Sequence, residues 1–159
     1  MAGLMVGNTF ARSGLTTIIA TGDDVFELYQ NGKLVLKGNL WSTAKSIKVK
    51  LSPGDVLAVK GNDYGIKAGL LLSAKGDYNF VSDASWKIYI GKELPGWNTK
   101  GFKDVSWKNA VSYGFYGVEP WKKKVVNFTD EKAEWIWSMN NKTGSKDIDP
   151  VVYFRKTIK

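Results

Sequence analysis

Apolar and polar residues alternate along much of this chain in short runs broken by turn formers, and period-two alternation of this kind predicts strands. Residues 15–20 (LTTIIA) open the series. Residues 25–30 (VFELYQ) and 33–37 (KLVLK) flank Asn31-Gly32. Both residues of that dipeptide tolerate the positive φ of a type I′ turn, so the two runs form a hairpin. Residues 46–51 (SIKVKL) alternate cleanly, with Ile47, Val49 and Leu51 inward and Ser46, Lys48 and Lys50 outward. Pro53-Gly54 is a turn. Residues 55–60 and 68–74 are more continuously apolar and are predicted as central strands, followed by strands at 78–82 and 86–90. Residues 91–109 are rich in Gly, Lys and Asn and read as a loop pinned by Trp97, Phe102 and Trp107. Residues 110–116, 133–137 and 151–158 are the late strands, with a polar loop at 138–150. Helical periodicity is nowhere sustained beyond about two turns. Two packed antiparallel sheets bury such half-apolar strands, so the expected fold class is all-β, a single antiparallel β-sandwich. At 159 residues the expectation is one domain over 15–159, preceded by an N-terminal extension at 1–14.

Composition narrows the chemistry. The chain has no Cys and no His. That removes disulfides, thiolate and imidazole ligands, and every nucleophile–histidine triad. A metal site must use oxygen ligands, for which Ca²⁺ is the natural ion. Net charge is +8, carried almost wholly by Lys, since Arg12 and Arg155 are the only arginines. The excess reads first as a solubilising surface with Lys guarding sheet edges. The alternative is attraction to an anionic polymer or mineral. Nucleic-acid readers rely on bidentate Arg, so no nucleic-acid partner is expected. No run approaches the ~20 apolar residues of a membrane span. The first residues lack the basic and apolar regions of a signal peptide, and the compartment stays open between the cytoplasm and an extracellular protein whose signal has been removed.

The aromatic residues carry a resemblance. Six of the seven Trp lie between Trp86 and Trp137, in the strings DASWKIY (83–89), PGW (95–97), VSWKNAV (105–111), YGVEPW (116–121) and AEWIW (133–137), followed by VVYFRKTI (151–158). The earlier strings ATGDDVFELYQNGKLV (20–35) and PGDVLAVKGNDYG (53–65) belong to the same series. In this order they resemble the galactose-binding-domain-like β-sandwiches, or jelly rolls, that serve as non-catalytic carbohydrate-binding modules of α-L-rhamnosidases. The resemblance spans about residues 15 to 158. It implies a lectin-like, non-catalytic protein whose partner is a mono- or oligosaccharide. A shallow loop-built site binds weakly, so multivalency through a homo-oligomer is expected with it.

Candidate site residues follow from where they fall. Trp41 (GNLWST), Trp97 (LPGWNT) and Trp121 lie in loop-like sequence, where an indole could stack on the apolar face of a sugar; the alternative for each is closing an end of the sandwich. Trp86 and Trp107 read as packing residues, and the i, i+2 spacing of Trp135 and Trp137 places both on one strand face. Asn62, Asp63 and Tyr64 (GNDYG) put an amide, a carboxylate and a phenol at one loop tip, groups that read vicinal hydroxyls or that simply shape a turn. Asp23 and Asp24 (TGDDVF) are paired carboxylates entering a strand, suited either to Ca²⁺ or to an ordinary Asx turn. Acid pairs at Glu131/Glu134 and Asp147/Asp149 carry no glycosidase motif, and a small sandwich provides no cleft for one. Enzymatic activity is therefore not expected. The rival to the lectin is a structural or adhesive matrix or assembly protein that uses its Lys-rich surface.

Overall fold

The computed structural model describes residues 14–65, 67–138 and 149–159. The described residues contain twelve strands: β1 Thr16–Asp23, β2 Val25–Gln30, β3 Lys33–Gly38, β4 Lys45–Val49, β5 Val56–Asn62, β6 Gly69–Gly76, β7 Phe80–Val81, β8 Lys87–Tyr89, β9 Lys108–Asn109, β10 Val111–Phe115, β11 Glu134–Trp137 and β12 Val151–Thr157. They form two antiparallel sheets, ordered β10-β11-β6-β1-β4 with β7 beside β6, and β3-β2-β5-β12-β8-β9. The expected all-β sandwich is what the chain adopts. Among the described residues no helix is long and apolar enough to cross a membrane.

The β2–β3 hairpin turns at Asn31 and Gly32, with φ of 49° and 86°. Its register pairs Leu28 with Leu36 and places Phe26 and Leu28 on the inner face. The core between the sheets is built from alternate residues of facing strands: Ile18 and Ala20, Leu57 and Val59, Leu70 and Leu72, Val152 and Phe154. Trp86 is fully buried there, its indole N–H donating to the Val81 carbonyl at 3.0 Å.

β5 and β6 are apolar on both faces because both outer faces are covered, which is why these runs lack alternation. On the first sheet, residues 116–128 lay Tyr116, Trp121, Val125 and Phe128 over Leu71 and Trp135. On the second, residues 91–107 lay Trp97, Phe102 and Trp107 over Val56, Ala58 and Tyr153. The buried Arg155 guanidinium pins that excursion, donating to Asp104 Oδ2 at 2.9 Å and to the carbonyls of Trp97, Thr99 and Phe102 at 2.7, 2.9 and 3.1 Å. A planar five-donor group satisfies several loop carbonyls at once, which an ammonium could not.

The structure corrects one expectation about strand faces. Trp135 belongs to the outer cluster, stacked on Trp121 with ring centroids 4.2 Å apart, whereas Trp137 packs in the inter-sheet core against Phe154. A register shift between Ser112 and Gly114 of β10 lies opposite this part of β11, and Trp137 is the last residue of the strand. Its ring fills the space a side chain at Gly61 would occupy, where a Cβ would lie 2.7 Å from Trp137 Cζ3.

Candidate functional site

One rim of the sandwich gathers the end of β1, the start of β2, the end of β5 and the starts of β6 and β12. The pairings Asp23 with Gly69, Val25 with Asn62, and Val151 with Asn62 bring them together. β1 and β2 belong to different sheets, and the Asp23-Asp24 peptide, which is cis, joins them. The Asp24 N–H donates to the Asn62 carbonyl at 2.9 Å and the Asp63 N–H to the Pro150 carbonyl at 2.8 Å. These backbone bonds hold two aspartates of β1–β2 beside the aspartate that follows β5.

The result is a cluster of three carboxylates. One oxygen from each of Asp23, Asp24 and Asp63 lies within 4.8 Å of the other two. Asp23 and Asp63 are buried, at 8% and 5% exposure. No Lys or Arg forms an ion pair with any of the three among the described residues. Their hydrogen bonds come from neutral donors: Trp121 Nε1 to Asp23 Oδ2 at 2.8 Å, the Tyr64 N–H to Asp24 Oδ2 at 2.7 Å, and the Gly65 N–H to Asp63 Oδ1 at 3.2 Å. Burial pushes the Asp23 carboxyl up to about 7, against the Trp121 hydrogen bond and with help from its neighbour Asp24. Burial likewise raises Asp63 to about 6, against the Gly65 N–H and again assisted by Asp24. In a protein of net charge +8, this is a concentrated and uncompensated negative site.

The donor set fits a hard divalent cation. Oxygens bound to one Ca²⁺ at about 2.4 Å lie no more than about 4.8 Å apart, and the three carboxylates already meet that limit. Three carboxylates leave room in a shell of about six to eight oxygens for carbonyl, water or ligand oxygens.

The aromatic candidates separate around this cluster. Tyr64 is 77% exposed and adjoins it, its own N–H bonded to Asp24. Trp121 is only 2% exposed, and its indole edge orients Asp23 while its face stacks on Trp135. Gly69 makes this approach feasible, because a Cβ there would lie 2.7 Å from Trp135 Cε3 and 3.3 Å from Trp121 Cζ2. Trp41 is half-buried on the same outer cluster, and its carbonyl accepts from Thr21 Oγ1 at 2.9 Å. Asn62 contributes its backbone, accepting from Asp24.

Trp97 does not join this group. It is 4% exposed under the 91–107 excursion, packed edge-on to Tyr153 at 4.8 Å and to Tyr29 at 5.7 Å. A run such as LPGWNT looks like an exposed loop in sequence, but here it covers a sheet face, and its indole is part of that cover. Of the acid pairs, Glu131 is bonded to Lys123 at 3.1 Å, and Asp147 lies outside the described residues. Asp149 accepts from Ser138 Oγ at 2.6 Å.

In the sequence Asp63 reads as a sugar contact, and only Asp23 and Asp24 read as a carboxylate pair. The structure brings Asp63 into the same cluster. The signal that could have shown it is the pairing of β2 with β5, which sets GDD beside NDY, and local patterning does not reveal which strands pair.

Two packed antiparallel sheets with a polar site on the rim define a β-sandwich of an architecture that lectins share. No family profile matches the chain, and no curated protein does. Two solved structures do. The Pleurotus ostreatus lectin in its apo form matches with a TM-score of 0.65 and 26% identity, over 74% of this chain and 36% of that one. A lectin from Pleurotus ostreatus in complex with GalNAc matches with a TM-score of 0.64 and 25% identity, over 74% of this chain and 37% of the other. The match thus spans little more than a third of each lectin chain. Neither structure is a rhamnosidase module; what they share with this chain is the β-sandwich.

Proposed function

We propose that this chain is a non-catalytic, lectin-like protein that binds glycans at the Asp23–Asp24–Asp63 rim with the help of a Ca²⁺ ion. The observation that carries this reading is the junction of three uncompensated carboxylates with the exposed ring of Tyr64. Asp23, Asp24 and Asp63 would hold the ion, and Trp121 and the Tyr64 and Gly65 N–H groups set their orientation. The ion would supply positive charge and open coordination positions, for which a pair of vicinal sugar hydroxyls is the matching ligand. Tyr64 offers an aromatic face to the apolar side of the ring, and Asn62 borders the same rim. The GalNAc complex of the structural neighbour supports a galactose-type sugar as the first ligand to try. Shallow, wet sites of this kind bind weakly one at a time, so the functional form is expected to be a homo-oligomer.

The test is a glycan array in 1 M salt, run with Ca²⁺ and again with EDTA. Specific binding of galactose-type glycans that disappears in EDTA is the expected result. Specific binding that persists in EDTA would retain the lectin and remove the metal. A blank array in both conditions would overturn the reading.

A further inference from the structure

A second charged surface lies away from the acidic rim. Between Glu27 and Asp55 the sequence contains no acidic residue and five lysines, Lys33, Lys37, Lys45, Lys48 and Lys50. β3 and β4 carry four of these, and Lys50 follows directly after β4. Each of these strands is the end strand of its sheet. They meet where the two sheets close against each other. At one end a Cβ on Gly38 would lie 3.4 Å from Lys45 Cγ. At the other, Gln30, which pairs with Lys33, donates through Nε2 to the Lys50 carbonyl at 2.8 Å. The five lysines therefore line one edge of the sandwich, about 20 Å long at ~3.3 Å per strand residue. Lys48 and Lys50 face outward from one sheet, since they alternate with Ile47 and Val49, and Lys37 faces outward from the other, since it alternates with Leu36.

All five are exposed, and none makes an ion pair among the described residues. Glu27, which faces Lys37 across the hairpin, accepts instead from the Tyr29 hydroxyl at 3.0 Å. Protection of sheet edges does not account for the concentration. The end strand opposite β4 in the same sheet, β10, carries no lysine. A polyanion laid along this edge would meet lysines of both sheets and release its own counterions on binding.

We propose that the β3–β4 seam binds a linear sulfated polysaccharide. A strip longer than it is wide matches an extended chain rather than the plane of a bilayer. Its charges are ammonium groups, which suit anions on a flexible chain but lack the fork by which Arg reads bases. The only aromatic residue between Lys33 and Lys50 is the half-buried Trp41, so the seam offers no exposed ring on which bases could stack. This surface stands independently of the acidic rim.

The test uses the whole chain with heparin as the probe, titrated at about 0.1 M salt and over a salt series, with duplex DNA and phosphatidylserine vesicles as comparators. Replacing the five seam lysines by Gln should weaken heparin binding at least about tenfold and lower the log–log salt slope by about 3. An equal change of charge at the exposed Lys92, Lys103, Lys108, Lys124 and Lys132 should leave binding within about twofold. Arg at the five seam positions should retain binding, and an unchanged melting temperature should show that each variant is folded. Equal weakening by the two Gln sets would mean diffuse attraction and overturn the proposal, as would absence of heparin binding to the unaltered chain. Tighter binding to DNA or to vesicles would overturn the assigned occupant.

Discussion

Asp23→Asn isolates the electrostatic strain of the rim. Asn preserves the volume of the side chain and an oxygen to accept from Trp121 Nε1, now 2.8 Å away, so it removes little besides the charge. The Asp23 carboxyl is raised in the folded state from 3.8 to about 7. A rise of that size corresponds to at most about 4 kcal/mol against the ionised form, with Asp24 and Asp63 sharing in it. The sign follows from proton binding. Between pH 4 and pH 7 the folded protein holds a proton that the unfolded chain has released, so stability falls as pH rises through this window. The penalty is absent below pH 4 and complete above about pH 8. Asp63, raised to about 6, adds in the same direction. Asp55 and Asp130 act oppositely. Their hydrogen bonds to Asn31 and Ser73, with those from backbone N–H groups and the nearby lysines, outweigh burial and hold them below their ordinary value, so they contribute stability at neutral pH that is lost in acid.

The assay is urea unfolding of both proteins at intervals from pH 5 to pH 8, first in EDTA and then in Ca²⁺. In EDTA the variant should already exceed the parent by about 1–2 kcal/mol at pH 5, and the gap should widen to at most about 4 kcal/mol at pH 8. In Ca²⁺ at a hundredfold its dissociation constant the parent should gain about 2.7 kcal/mol, and the variant much less. The order of stability at pH 8 thus narrows or reverses when the metal is added. If the two EDTA profiles superimpose from pH 5 to pH 8, Asp23 is not held ionised at a cost, and the argument for an uncompensated cation site fails.

Further outcomes follow from named contacts. Gly69→Ala would press a methyl group into Trp135, and should lower stability by about 1–3 kcal/mol and weaken Ca²⁺ binding in a titration, because Trp121 is displaced from Asp23. Tyr64→Ala removes an exposed ring, so calorimetry should show an unchanged melting temperature while glycan affinity falls by about tenfold, or about 1.4 kcal/mol. Trp97→Ala should do the reverse, costing about 3–5 kcal/mol of stability and leaving the glycan-array profile of any folded protein intact. Arg155→Lys should cost about 3–5 kcal/mol and expose the 91–107 segment to protease, since an ammonium cannot serve Asp104 and three carbonyls together.

Most strands were legible because they obey a local rule, whereas β9, Lys108–Asn109, falls in a run that reads as loop. Asn31-Gly32 dictated a hairpin, Ile47 and Val49 alternated with lysines, and the continuous apolar runs of β5 and β6 marked strands buried on both faces. The rim was only half legible. Asp23-Asp24 and Asn62-Asp63-Tyr64 were recognisable as polar clusters, but their union depends on β2 lying beside β5, a contact between residues nearly forty positions apart. In sequence the first cluster reads as a metal pair and the second as a sugar contact; the structure places carboxylates of both in one constellation.

The tryptophans show why residue type alone misplaces a binding surface. A small sandwich has an inner core and two outer faces, and this chain covers part of each outer face with an excursion of its own. A cover without regular structure has few backbone bonds to hold it, so its anchorage must come from large side chains and from groups such as Arg155 that collect loop carbonyls. Trp97 and Trp107 anchor one cover and Trp121 the other, while Trp86 and Trp137 fill the space between the sheets. Trp121 alone does both kinds of work, because its indole edge emerges from the cover at the point where β1 ends and meets Asp23. Binding at the rim is thereby tied to the folding of residues 116–128. A ligand that fixes Asp23 should slow local opening of that cover, and hydrogen exchange at the Lys122 and Val125 N–H groups, bonded to the Val118 carbonyl and the Tyr116 hydroxyl, is where the coupling would be read.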